Sequence, residues 1–178
     1  LLAGGLAVVL AGVAAAVAAG VFSGGGPAHV LVTPSRLGAY VRRPQLEQKV
    51  DAKQLQREVT ARSAGQARHV VYAVYENGAD GKTPQIMLFI GGNLSGTSPA
   101  DFISSFTSQS KGATLTSAGS LGGNAACVSA QATVPGSVAL CTWVDNDTFG
   151  VVASPAMNVS ELAAQMRAIR PSVEHVVK

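Results

Sequence analysis

Charge and aromatics are both scarce in this chain. Asp, Glu, Lys and Arg make up 13% of its 178 residues and aromatic side chains 5%, while 47% are hydrophobic. The roughly 150 residues after the first apolar stretch suit one domain with a real core. With few large rings available, a core has to be built mainly from Val, Leu, Ile and Ala. The basic residues are not interleaved with aromatics, which argues against a nucleic-acid surface.

Cysteine is limited to Cys127 and Cys141, and histidine to His29, His69 and His175. No histidine or third cysteine stands at metal-ligand spacing from the cysteine pair. The histidines lie near the start, before an apolar stretch and in the C-terminal tail, so nothing in the sequence gathers them into a cluster. A Gly-x-Ser-x-Gly elbow is missing. Gly91-Gly92-Asn93-Leu94-Ser95-Gly96 is rich in glycine, yet it has neither the Lys of a phosphate loop nor dinucleotide spacing, and reads as a loop closing a strand. Asp145-Asn146-Asp147-Thr148 resembles half of a calcium loop but lacks the Gly at the bend and the terminal Glu. It reads as a solvated turn. Three Asn-x-Ser/Thr triplets, at Asn93, Asn146 and Asn158, are short enough to recur by chance. No catalytic, cofactor-binding or metal residue is therefore expected, and the chain is not read as an enzyme. Such a reading would require Asp101, Asp145, Asp147 and a His to converge in a cleft.

The feature most plainly present is an uncharged apolar run from Leu1 to Phe22. A bilayer core of about 30 Å takes about 20 apolar residues of helix to cross. The chain begins with Leu inside this run, so it is read as a fragment. Ala14-Ala15-Ala16 and Ala16-Val17-Ala18 would suit signal cleavage, and a buried core helix is a further alternative. The length favours an uncleaved transmembrane helix at 1–22, followed by a linker at 23–33 opening with Ser-Gly-Gly-Gly-Pro, and a soluble domain at 34–178. Arg36, Arg42 and Arg43 on the visible flank favour a cytoplasmic domain by the positive-inside rule. The cysteines oppose this: an even, closely spaced pair reads as a disulfide, and disulfides persist outside the cytoplasm. The cysteines are given more weight, which puts the domain outside.

Residues 36–68 carry eight basic and three acidic side chains, and residues 69–178 carry five and seven. The basic stretch follows the anchor and could attract anionic lipid or wall polymer; a solvated helix face explains it as well.

Along the chain, His29–Val32 is a short apolar, β-branched run within the linker, broken by Thr33-Pro34, and Ser35–Val41 reads as a short helix or turn. Asp51 caps a helix with Gln54 as reciprocal partner, Leu55 and Val59 mark its apolar face, and Gly65 ends it. Val70–Tyr75 and Ile86–Ile90 read as a hairpin, with turn residues at 77–82. Ser98-Pro99-Ala100-Asp101 opens a helix that buries Phe102, Ile103 and Phe106 and ends at Gly112. Strands follow around Cys127, at Val138–Val144 and at Phe149–Ala153. Asn158 and Glu161 form a capping box for a last helix with an apolar stripe at Val159, Leu162, Ala163, Met166 and Ile169, ended by Pro171. The fold class is α+β: a mainly antiparallel sheet packed by about three helices.

Cys127 and Cys141 fall on the two arms of a hairpin turning at Pro135-Gly136. A two-residue turn there would pair 127 with 144 and put Cys141 on the opposite face. A three-residue loop or one bulge restores a common face, so a disulfide and an irregularity in this hairpin are expected together.

The Ala/Gly/Val-rich segment 1–22, the stretch Pro34–Tyr40, and Cys127 with Cys141-Thr142-Trp143-Val144-Asp145 together resemble a family of uncharacterised actinobacterial envelope proteins. Those have a single membrane pass, a flexible link and a small exported α+β domain. The resemblance implies a twisted antiparallel sheet with helices and carries no activity to transfer. The leading expectation is a non-catalytic, membrane-tethered extracytoplasmic domain that binds an envelope protein, lipid or wall polymer. The alternative is a small-ligand or lipid-binding module whose apolar cleft is lined by Met87, Phe89, Phe102, Phe106 and Met166.

Overall fold

The computed structural model describes residues 29–63, 66–78, 84–131 and 137–177. Ten strands and four helices follow in order: β1 (His29–Leu31), β2 (Arg36–Leu37), β3 (Tyr40–Arg42), α1 (Pro44–Lys49), α2 (Ala52–Arg62), β4 (Ala67–Asn77), β5 (Gln85–Leu94), α3 (Pro99–Gln109), β6 (Thr114–Thr116), β7 (Asn124–Gln131), β8 (Ser137–Val144), β9 (Thr148–Ser154), α4 (Val159–Val173) and β10 (Glu174–Val176). Eight strands form one antiparallel sheet in the order β2-β3-β4-β5-β9-β8-β7-β6, while β1 and β10 pair as a separate ribbon. The α+β class holds. The expected span 1–22 lies outside the described residues, and among those no helix is long and apolar enough to cross a membrane. The stretch read as linker, 23–33, includes the paired strand β1.

Side chains alternate across a strand, and both faces of this sheet are covered. Leu88 and Ile90 of β5, with Val70 and Val74 of β4, pack under Leu55 and Val59 of α2 and Phe102, Ile103 and Phe106 of α3. Met87, Phe89, Tyr75, Cys127, Cys141 and Trp143 face the other way, under Leu162, Met166, Ile169 and Val173 of α4. Double coverage is why β4, β5, β8 and β9 read as unbroken apolar runs.

Local signals placed the helices well. Ser98 accepts from the Asp101 N–H, and Pro99 opens α3. Asn158 and Glu161 make both bonds of the capping box on α4. Asp51 accepts from Gln54 N–H, but the reciprocal bond does not form, since the Gln54 amide donates to Glu58 instead. Gly65 lies outside the described residues; α2 ends at Arg62, with Ser63 as its C-cap.

Four expectations are corrected. Ser35–Val41 is the β2–β3 hairpin, turned at Gly38 with φ 61°; pairing of β3 with β4 selects strand over helix. Gly91 and Gly92 continue β5. A Cβ on Gly91 would come 2.6 Å from Leu31 and one on Gly92 2.7 Å from the Arg68 carbonyl, so both serve close packing. Helix α3 ends at Gln109, before Gly112. Pro171 lies inside α4, on its exposed side, and the helix continues because Val173 is buried and Glu174 is tied back to Arg170.

The β7–β8 pairing is continuous from Asn124↔Val144 to Gln131↔Ser137, and Cys127 faces Cys141 directly. Their Cα atoms are 4.1 Å apart, and the disulfide is formed. The described pairs run in a register that puts both cysteines on a common face, and no bulge interrupts them. The Pro135-Gly136 turn itself lies outside the described residues.

Candidate functional site

The richest polar constellation gathers where the β8–β9 turn, the end of α4 and the ribbon meet. It grows from the turn. Asp145 Oδ1 accepts from the backbone N–H groups of Asp147 and Thr148, at 3.1 and 2.8 Å, and from the Thr148 hydroxyl at 3.0 Å. A short acid hydrogen-bonding its own following backbone is a standard turn device. The other oxygen is thereby aimed at α4, where Arg170 Nη2 donates to it at 2.8 Å.

Arg170 is 1% exposed. Its Nε and Nη2 donate to the two oxygens of Glu174 at 2.8 and 3.2 Å. Nη1 donates to the carbonyls of Ala118 at 3.1 Å and Gly122 at 2.5 Å. Five N–H donors thus meet five acceptors, which uses the whole guanidinium. Glu174 also accepts from Trp143 Nε1 at 3.0 Å. The Trp143 ring stacks on Phe89 and lies 5.7 Å from the Arg170 guanidinium carbon.

On the ribbon side, the His29 backbone N–H donates to Asp147 Oδ2 at 2.7 Å, and its ring Nδ1 lies 3.0 Å from Oδ1. Asn93 Nδ2 donates to the His29 carbonyl at 2.8 Å, and Asn93 Oδ1 lies 3.3 Å from His69 Nδ1. His69 sits at φ 47°, where the β4–β5 register shifts.

The electrostatics follow this geometry. His29 is held above its usual value, chiefly by its hydrogen bond to Asp147, against a smaller opposing effect of burial. Burial alone would raise Asp145. The neighbouring Glu174 side chain and the hydrogen bonds from the turn N–H groups and the Thr148 hydroxyl outweigh it and hold Asp145 at about 2. Glu174 is raised, first by burial, with Arg170 pulling the other way.

His29, Asp145 and Asp147 each offer one ligand atom, and these lie within 4.8 Å of one another. Both oxygens of Asp145 are nevertheless occupied, one by a guanidinium whose charge opposes a cation. The constellation works as an ionic clamp joining the turn, α4 and both strands of the ribbon.

The expected residues are distributed as follows. Cys127 and Cys141 are joined and buried under α4. Asp145 and Asp147 do meet His29, but Asp101 lies at the start of α3. His69 reaches the cluster only through Asn93, and His175 contacts the Ser172 carbonyl on the outer side of the ribbon. Asn93 is 8% exposed and engaged, and Asn158 is a helix cap. Met87, Phe89 and Met166 belong to one face of the sheet and Phe102 and Phe106 to the other, so the sheet divides the five residues expected to line one cleft.

Arg170 and Glu174 were missed by the motif search. Their signal was a charged pair at i, i+4, each member directly following an apolar residue of the α4 stripe, Arg170 after Ile169 and Glu174 after Val173. No family model, curated protein or solved structure matches the chain.

Proposed function

We propose that this is a non-catalytic, membrane-tethered extracytoplasmic domain that binds an envelope component or partner protein. The Cys127–Cys141 disulfide carries the reading. It joins neighbouring strands inside the core, and such bonds are formed and kept in oxidising compartments. The apolar run 1–22 supplies a tether, and the most site-like cluster is spent on internal bonds, which fits a binding scaffold better than a reaction centre. The alternative of an apolar ligand cleft loses its lining, since the five residues nominated for it are split between the two faces and buried.

The test has two parts. Both sulfurs lie under α4, so a thiol reagent applied to intact cells would not reach them even after reduction. Cells should be quenched in acid, and the protein unfolded and then alkylated with a mass tag, with and without prior reduction. Tagging only after reduction is expected, together with cleavage of the domain by protease added to intact cells. Photo-crosslinking of the full chain in its membrane should then capture an envelope component. Free thiols, protease resistance in intact cells but not lysed ones, or no crosslinked species would each sink the reading.

A further inference from the structure

Six large apolar side chains are substantially exposed among the described residues: Val30, Val32, Leu115, Leu121, Val176 and Val177. Four of them belong to the β1–β10 ribbon or its immediate ends. The register explains this. Leu31 and Glu174 face one another on the inner side and are buried, while Val30 pairs with His175 on the outer side. Side chains two apart share a face, so Val32 and Val177 join Val30 and His175 there. Val176, 67% exposed, pairs with His29 and by the same rule shares the side of Glu174, so it is not part of this face. The Val32 N–H donates to the Val173 carbonyl, which keeps Val32 in the same surface.

Chain length says what this surface meets. Six residues, 23–28, separate the apolar run from His29. Fully stretched, the step from Phe22 to His29 spans at most about 25 Å. A run that enters a bilayer therefore holds the ribbon within a small distance of the headgroups, and the described C-terminal end leaves from the same ribbon. A short tether makes even a weak contact effectively intramolecular.

We propose that the outer face of the β1–β10 ribbon, formed by Val30, Val32, His175 and Val177, docks on the lipid surface of the membrane that holds the tether. The inference rests on the tethered reading above and extends it. Docking orients the domain on the bilayer, while Leu115, exposed on the edge strand β6, lies outside the ribbon. A face of this kind settles at the headgroup–acyl boundary, with His175 among the polar groups.

The test uses the full chain in vesicles of phosphatidylethanolamine and phosphatidylglycerol. An environment-sensitive fluorophore is attached to Val177→Cys or, in a second protein, to Leu115→Cys. Quenching is read from lipids carrying a quencher just below the headgroup. Loss of fluorescence at 177 but not at 115 is expected, and V30D with V32D should abolish that loss while the protein still floats with the vesicles. Flotation with neither position quenched, or with both quenched alike, overturns docking and leaves the tether standing. Failure to float overturns both. Self-quenching at 177 in detergent without vesicles would assign the face to a second copy and overturn the lipid assignment.

Discussion

Arg170 occupies a position in α4 where the stripe of Leu162, Met166, Ile169 and Val173 leads one to expect a hydrocarbon. Its burial is tolerated because five donors find five acceptors and two carboxylates balance the charge. Removing one member of such a set leaves the others buried and unpaired. Arg170→Met is therefore expected to cost about 3–5 kcal/mol, read as a shift of the denaturant midpoint. Adding Glu174→Leu should recover much of that loss; a single substitution costing less than about 1 kcal/mol would contradict the clamp. The same residues set a pH profile. His29 is raised, so its contribution is complete below the usual 6.5 and is lost as pH climbs through the raised value. Asp145 is depressed, so its contribution is complete above the usual 3.8 and is lost as pH falls toward about 2. Glu174 is raised, chiefly by burial, so stability declines as pH rises above its usual 4.5. Both upper windows lose stability with rising pH. Thermal melts should show an optimum on the acid side of neutrality, and His29→Gln should flatten the decline above 6.5. An optimum on the alkaline side would contradict these assignments.

Among the elements, the β7–β8 hairpin shows what a disulfide adds to a ladder already in register. Cys127 and Cys141 are 14 residues apart and directly paired. Closing a loop of that size stabilises by about 3 kcal/mol in the chain-entropy model. The reduced protein should lose about that much unfolding free energy, read as a lower denaturant midpoint at unchanged slope, with its folded-state spectrum unchanged, because the ladder holds the arms together. Reduction of the native protein should be slow and should follow the unfolding rate, since both sulfurs are buried. Elements were legible where their cause is local. The caps of α3 and α4 are bonds between residues three apart, and the apolar faces of those helices recur every three or four. Tyr40–Arg42 was not legible as strand because the partner that fixes it in the sheet, Tyr75-Glu76 of β4, lies more than thirty residues away. Gly91 and Gly92 misled for the same reason: what crowds them is Leu31 and the Arg68 carbonyl, both distant in sequence. Pro171 breaks a helix by its own preference, yet Val173 and Glu174 gain enough beyond it to carry the last turn.

At the scale of the molecule, two runs of adjacent strands, β2 to β5 and β6 to β9, are joined along β5 and β9, with α3 leading from one run to the other. The chain then returns through α4 to meet its own beginning at the ribbon. The clamp draws on positions 29, 145, 147, 170 and 174, which no window of sequence could unite. Only the turn at 145–148 and the pair at 170 and 174 were locally visible. This closure makes β1 part of the domain. Leu31 is buried, and burying such a side chain stabilises by about 2 kcal/mol. Asn93 and Asp147 each direct a side-chain group at His29, and each lost bond costs about 1 kcal/mol. Two shortened proteins separate tether from domain, with Trp143 fluorescence as the signal in chemical denaturation. One starting at Ala28 should have a full midpoint. One starting at Thr33 loses β1, frees β10 and exposes Glu174, and should be weaker by about 3–4 kcal/mol. Equal midpoints would mean that the ribbon adds nothing to the domain. The face assigned to the membrane would then have no rigid base, and docking of the tether root could not orient the sheet.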